Sequence, residues 1–169
     1  MKTICIAGKN NIAVDLLLHC MKFSPNCRLV CIAIKNDCGI NNRQKSLKFF
    51  AKKNDVEILQ LQDVYTLSDL LFLSCEFDSI IKPEKFRSNE LYNIHFSLLP
   101  KYKGCHTSVL PILWGDIFTG VTLFQIKNQI RAFSFRPYQL ISWNGINYID
   151  SKILKFVSTQ RPGTISVSY

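Results

Sequence analysis

The sequence predicts an α/β domain on a mainly parallel sheet, followed by a short β-hairpin segment. Three observations carry that expectation. Apolar runs of strand length alternate with segments of helical spacing, which favours parallel pairing through right-handed crossovers. Near the end, Asn144-Gly145 interrupts two short runs and is a strong hairpin turn signal. A chain of 169 residues, 47% apolar and 20% charged, has the composition of an ordinary globular protein. At that length a single domain buries about 70% of the surface its unfolded form exposes, so the core needs no metal or disulfide.

Residues 2–7, Lys-Thr-Ile-Cys-Ile-Ala, read as a buried first strand that runs into Gly8-Lys9-Asn10-Asn11, and residues 12–22 carry apolar positions at helical spacing. A lone Gly8 makes neither a Gly-x-Gly-x-x-Gly fingerprint nor a lysine-serine phosphate loop. Lys9 and Asn10 before a helix still suit a phosphate, through side-chain charge and helix-start amides. For Asn10 an ordinary helix cap is the alternative. A second strand covers 28–34 and ends in Lys35-Asn36-Asp37-Cys38-Gly39; residues 43–53 are expected to be helical, and 56–59 form a short third strand. The fourth covers 70–75, after which Glu76-Phe77-Asp78-Ser79-Ile80-Ile81 leads to Pro83. This is a Rossmann-like layout.

The chemistry concentrates in residues 91–120. In the strand that Pro100 stops, alternation puts Asn93, His95 and Ser97 on one face and Tyr92, Ile94 and Phe96 on the other. An amide and an imidazole at a strand end suit acyl transfer. Asn93 can donate to a carbonyl oxygen that gains negative charge, and His95, with a reference pKa of about 6.5, can take or relay a proton near neutrality. Tyr102-Lys103-Gly104 makes a loop that allows close backbone approach to a ligand. The carboxyl end of a strand is where open α/β sheets bind ligands. For an arbitrary Asn-x-His, a plain strand with two polar side chains is the alternative. Residues 107–114 are expected to be helical around Pro111, with Gly115 at the end, and 119–124 form another strand. His106 reads as a surface residue beside the loop.

A formal charge of +9 favours anionic ligands such as nucleotides, phosphates, nucleic acid or an anionic membrane surface without choosing among them, and a generally solvated basic surface is the alternative. The basic residues are dispersed and lack the aromatic interleaving of an RNA-reading sheet, so no nucleic-acid partner is expected; a basic nucleic-acid-binding domain is what charge alone would predict. Seven cysteines, an odd number scattered among apolar neighbours, suit reduced thiols in a cytosol. No Cys-x-x-Cys occurs, so neither a zinc site nor a redox dithiol is expected. No apolar run reaches the roughly 20 residues of a membrane span, and the amino-terminal apolar stretch is too short for a signal peptide, so a cytoplasmic location is expected.

Asn93-Ile94-His95-Phe96-Ser97-Leu98-Leu99-Pro100, followed by Tyr102, Gly104 and Gly115 through Thr119-Gly120-Val121-Thr122, resembles the 10-formyltetrahydrofolate-dependent formyltransferases. That family includes glycinamide ribonucleotide, methionyl-tRNA and sugar N-formyltransferases. Ile130 to Leu140 and the segment around Trp143 and Tyr148 are similar to the carboxyl-terminal part of the sugar enzymes. The resemblance implies a Rossmann-like formyltransferase catalytic domain over residues 1–124 and a β-hairpin segment over 125–169. It implies Asn93 and His95 as catalytic residues, and Phe77, Asp78 and Ile80 as contacts to the cofactor, for which a simple strand-to-helix turn is the alternative. Lys9, Asn10, Tyr102 and Gly104 are implied to hold the diphosphate and sugar. The co-substrate would be 10-formyltetrahydrofolate, without a metal, and the acceptor a nucleotide-linked amino sugar in O-antigen synthesis. The tail looks most like enzymes using dTDP-4-amino-4,6-dideoxyglucose, with 3-amino sugars also open. The appended hairpin implies a homodimer.

The pattern departs from the family after Leu123. Members continue into a His-x-x-Asp-like strand end and an Asp-Thr-Gly loop, whereas Phe124-Gln125-Ile126-Lys127 stands here, as if several tens of residues were missing. The family's aspartate has no counterpart, and Asp116 and Asp150 do not occupy its position. An imidazole without an orienting carboxylate can lose several powers of ten in rate, so a catalytically dead module that still binds nucleotide sugar or folate is the rival reading.

Overall fold

The computed structural model describes residues 1–99, 101, 102, 107, 109–126, 141–143 and 146–148. The chain forms two compact units, Met1–Ile94 and His95–Tyr169. In the first, strands β1 (Thr3–Gly8), β2 (Arg28–Ala33), β3 (Glu57–Ile58), β4 (Leu70–Cys75) and β5 (Glu90–His95) lie side by side in the order β3-β2-β1-β4-β5. Every pairing among them is parallel. All six residues of β1 are buried, as expected of a central parallel strand covered on both faces.

Helix α1 (Asn10–Phe23) buries Ala13, Val14, Leu17 and Cys20, the one-sided stripe that 3.6-residue spacing produces. It starts two residues before the expected 12–22. Helix α2 (Leu47–Lys53) is shorter than the expected 43–53 because Ser46 caps it, its hydroxyl accepting from the Phe49 amide at 2.9 Å. Asp37 sets that start: its carboxylate accepts from the Gly39 and Lys48 amides, each at 3.0 Å, and from the Ser46 hydroxyl at 2.5 Å. Burial pushes the Asp37 carboxyl up, but these hydrogen bonds outweigh it and hold the group below the usual carboxylate range. Phe72, Ile6, Leu17, Leu47, Leu70 and Leu91 are fully buried and form the centre of this unit.

The described part of the second unit holds a short helix α3 (Leu110–Leu113) and strand β6 (Thr122–Gln125), both shorter than the expected 107–114 and 119–124. Pro111 stands in the first turn of α3, where its missing N–H costs nothing, and Gly115 takes a φ of 68° just past the end. Beyond α3, Trp114, Ile117 and Phe118 are exposed. Strands β7 (Ile141–Trp143) and β8 (Ile146–Tyr148) pair antiparallel with Trp143 opposite Ile146, the expected hairpin. Among the described residues no helix is long and apolar enough to cross a membrane.

Candidate active site

Strand order reverses at β1: β2 and β3 lie to one side of it, β4 and β5 to the other. Where the carboxyl ends of two such strands part, an open parallel sheet forms its ligand crevice. At that end of β1, a Cβ on Gly8 would stand 2.0 Å from the Cys75 carbonyl oxygen of β4, so only glycine fits. The Lys9 amide donates to the same carbonyl at 3.3 Å. Asn10 and Glu76 both adopt left-handed backbone, with φ of 64° and 54°. The Asn10 side-chain amide donates to the Glu76 carboxylate at 2.7 Å, tying the loop after β1 to the loop after β4. Asn10 is therefore not a helix cap: Lys9 holds the cap position, without a side-chain bond, and Asn10 opens the helix.

The switch point thus joins Lys9 and Asn10 to the stretch that carries Phe77, Asp78 and Ile80. Phe77 is half-buried, while Asp78 and Ile80 are exposed. The stretch is not the strand-to-helix turn of the alternative reading, since it leads into a 3-10 turn at Pro83–Lys85 and not into an α-helix. Burial, with Glu76 next to it, pushes the Cys75 thiol up to about 12, so that thiol stays protonated near neutrality.

Strand β5 carries Asn93 and His95. Asn93 is half-buried and stands opposite Ser74 of β4 in the parallel register. The half-buried His95 ring places Nε2 3.1 Å from the Tyr102 carbonyl oxygen and its centroid 6.4 Å from that of Phe124. A carbonyl only accepts, so Nε2 bears the proton and Nδ1 holds the lone pair of the neutral ring. Burial pushes the His95 pKa down and outweighs the opposite effect of that hydrogen bond.

Hydroxyls close the loop beyond β5. Ser97, fully buried, turns its hydroxyl to the Lys101 and Tyr102 carbonyls at 3.0 and 2.9 Å. Thr122 donates to the Ser97 carbonyl at 2.7 Å and accepts from the Leu99 amide at 3.1 Å. Tyr102 has a left-handed φ of 54°. Its phenol donates to Asp116 at 2.6 Å, and Lys101 Nζ meets both oxygens of the same carboxylate at 2.6 and 2.7 Å. Lys101 first, then Tyr102, holds the Asp116 carboxyl below its usual range.

Gly104, His106, Asn144-Gly145 and the tail Ile130 to Leu140 lie outside the described residues. Sequence reasoning missed Glu76 as a site partner and set Asp116 aside because it does not occupy the family's position; both act through bonds made by folding. Ser97 and Thr122 were within reach: each is a hydroxyl inside the matched string. Among the described residues no group of three His, Cys, Asp or Glu side chains is placed to hold a metal ion.

No protein-family model matches the chain. A solved structure of WlaRD, a sugar 3N-formyl transferase in the presence of dTDP and 5-N-formyl-THF, is 50% identical over 76% of this chain and 47% of its own, with a TM-score of 0.71. The N-formyltransferase from Helicobacter canadensis, solved with folinic acid and dTDP-3-aminofucose, is 48% identical over 76% of this chain and 48% of its own, with a TM-score of 0.70. A methionyl-tRNA formyltransferase of Mycoplasmopsis pulmonis is 27% identical over 69% of this chain and 44% of its own length. The chain therefore spans about half the length of the relatives it matches.

Proposed function

The chain belongs to the formyltransferase family, and on that premise we propose that the protein containing it transfers a formyl group from 10-formyltetrahydrofolate to the amine of a dTDP-linked amino-dideoxy sugar. The observation that carries this reading is the 50% identity with a sugar 3N-formyl transferase solved with dTDP and a formyl folate. The tail sequence favours a 4-amino sugar; the two neighbours near 50% identity favour the 3-amino isomer, and the proposal adopts the latter.

In this reaction the amine lone pair attacks the formyl carbon and the carbonyl π electrons move to oxygen. Asn93 donates N–H to that oxyanion. His95, through Nδ1, takes the proton that the attacking nitrogen sheds. The carbon–N10 bond breaks as N10 takes up the proton His95 received, the carbonyl re-forms, and the N-formyl sugar and tetrahydrofolate leave. Lys9, Asn10, Tyr102 and Gly104 are proposed to hold the diphosphate and sugar, and Phe77, Asp78 and Ile80 to contact the folate. In the same reading the protein is a cytoplasmic homodimer that serves O-antigen synthesis.

The test incubates the protein with 10-formyltetrahydrofolate and either the dTDP-3-amino or the dTDP-4-amino sugar, and detects the formylated product by mass spectrometry. Formylation of the 3-amino sugar is expected, reduced about a hundredfold or more by His95→Ala. No product and no binding of either substrate overturns the proposal. Binding of both without turnover selects the inactive-module reading.

A further inference from the structure

We propose that Asp116 is a positioning residue for His95, acting through Tyr102. The Asp116 carboxylate receives the Tyr102 phenol at 2.6 Å and the Lys101 ammonium at 2.6 and 2.7 Å. The carbonyl of the same Tyr102 lies 3.1 Å from His95 Nε2. Left-handed backbone at a tyrosine, here with φ of 54°, is disfavoured and persists only where the surroundings hold it. The clamp at Asp116 supplies one hold on the side chain, and the Ser97 hydroxyl, 2.9 Å from the same carbonyl, supplies the other on the backbone.

The consequence reaches the ring. With the Tyr102 carbonyl held, it accepts hydrogen bonds from both Nε2–H and the Ser97 hydroxyl, so the imidazole is kept in one orientation with Nδ1 as its basic atom. Asp116 bonds not to the ring but to the side chain of the residue whose carbonyl meets it. Lys101 completes the clamp by meeting both oxygens of the carboxylate that also accepts from the phenol.

The test needs no substrate. Three histidines are present, so with ring-15N histidine the His95 signals are assigned by their loss in His95→Gln. The wild-type protein is expected to show a protected proton on Nε2 at a pH where the ring is neutral. Asp116→Ala and Tyr102→Phe are each expected to raise its exchange with water tenfold or more, with Asp116→Glu restoring most of the protection. Unchanged exchange in both variants, or a wild-type ring proton on Nδ1, overturns the proposal. Should Asp116→Ala not fold, Tyr102→Phe, which removes one hydroxyl, reads the same contact. The catalytic consequence rests on the formyltransferase reading: there, Asp116→Ala is expected to lower kcat at least tenfold with KM for the folate little changed. Exchange effects as expected in a protein that forms no product support the clamp and count against formyl transfer alone.

Discussion

At the scale of the residue, His95 sets the pH behaviour. Burial disfavours the charged imidazolium, so the folded-state pKa lies below the unfolded value of about 6.5. Below that pH the unfolded chain takes up a proton that the native ring resists, and the unfolded state therefore binds more protons. Stability from this group falls as pH drops below about 6.5 and is flat above it. The neutral form, with Nδ1 free to accept, also persists to lower pH than in an unburied histidine. An NMR titration of the ring is expected to give a midpoint under about 6.5, and the acid limb of kcat/KM is expected to track it. A midpoint at or above that value would mean that the ring is open to water or paired with a carboxylate.

At the scale of the element, the end of α2 exposes a misfit between residue and backbone. The Asp55 amide bonds to the Lys52 carbonyl at 3.3 Å and the Val56 amide to the Ala51 carbonyl at 2.9 Å, which together form a Schellman motif. That motif requires left-handed backbone at residue 55, where φ is 53°, and glycine is the residue that adopts it without strain. An aspartate there also places negative charge at the carboxyl end of the helix dipole. Asp55→Gly is expected to stabilise the protein by about 1 kcal/mol, read as a higher urea midpoint at unchanged slope. A lower midpoint would show that residue 55 does not need the left-handed conformation. The same element shows what sequence reading captures: apolar spacing places the helix, but its start at Leu47 depends on Asp37, nine residues before Ser46, accepting from the Ser46 hydroxyl. Capping by a side chain from a preceding loop leaves no periodic trace. Likewise the Asn93 and His95 string stands out in the sequence, whereas Asp116 becomes meaningful only once folding brings it to Tyr102 and Lys101.

At the scale of the whole molecule, the cysteines report how the sheet-bearing unit opens. Cys5, Cys31 and Cys75 sit on β1, β2 and β4 and are buried, while Cys38 is exposed in the loop after β2. Burial pushes the Cys31 and Cys75 thiols up to about 12, with Cys20 and Glu76 respectively adding to the effect, and moves Cys5 in the same direction. Because the thiolate is the nucleophile, these groups are both shielded and protonated near neutrality. They can react only when the three strands separate, and β1 pairs with both of the others along its full length. Opening therefore requires the cooperative loss of the sheet, at a free energy near that of global unfolding. In native protein at pH 8, peptide mapping after a timed thiol-reagent pulse is expected to show Cys38 labelled first and the three sheet thiols about a thousandfold or more slower. Their rates should coincide and rise together with added urea, as one cooperative unit demands. Labelling of Cys75 ahead of Cys5 and Cys31 would instead show that β4 separates on its own, and with it the crevice held by Gly8, Asn10 and Glu76.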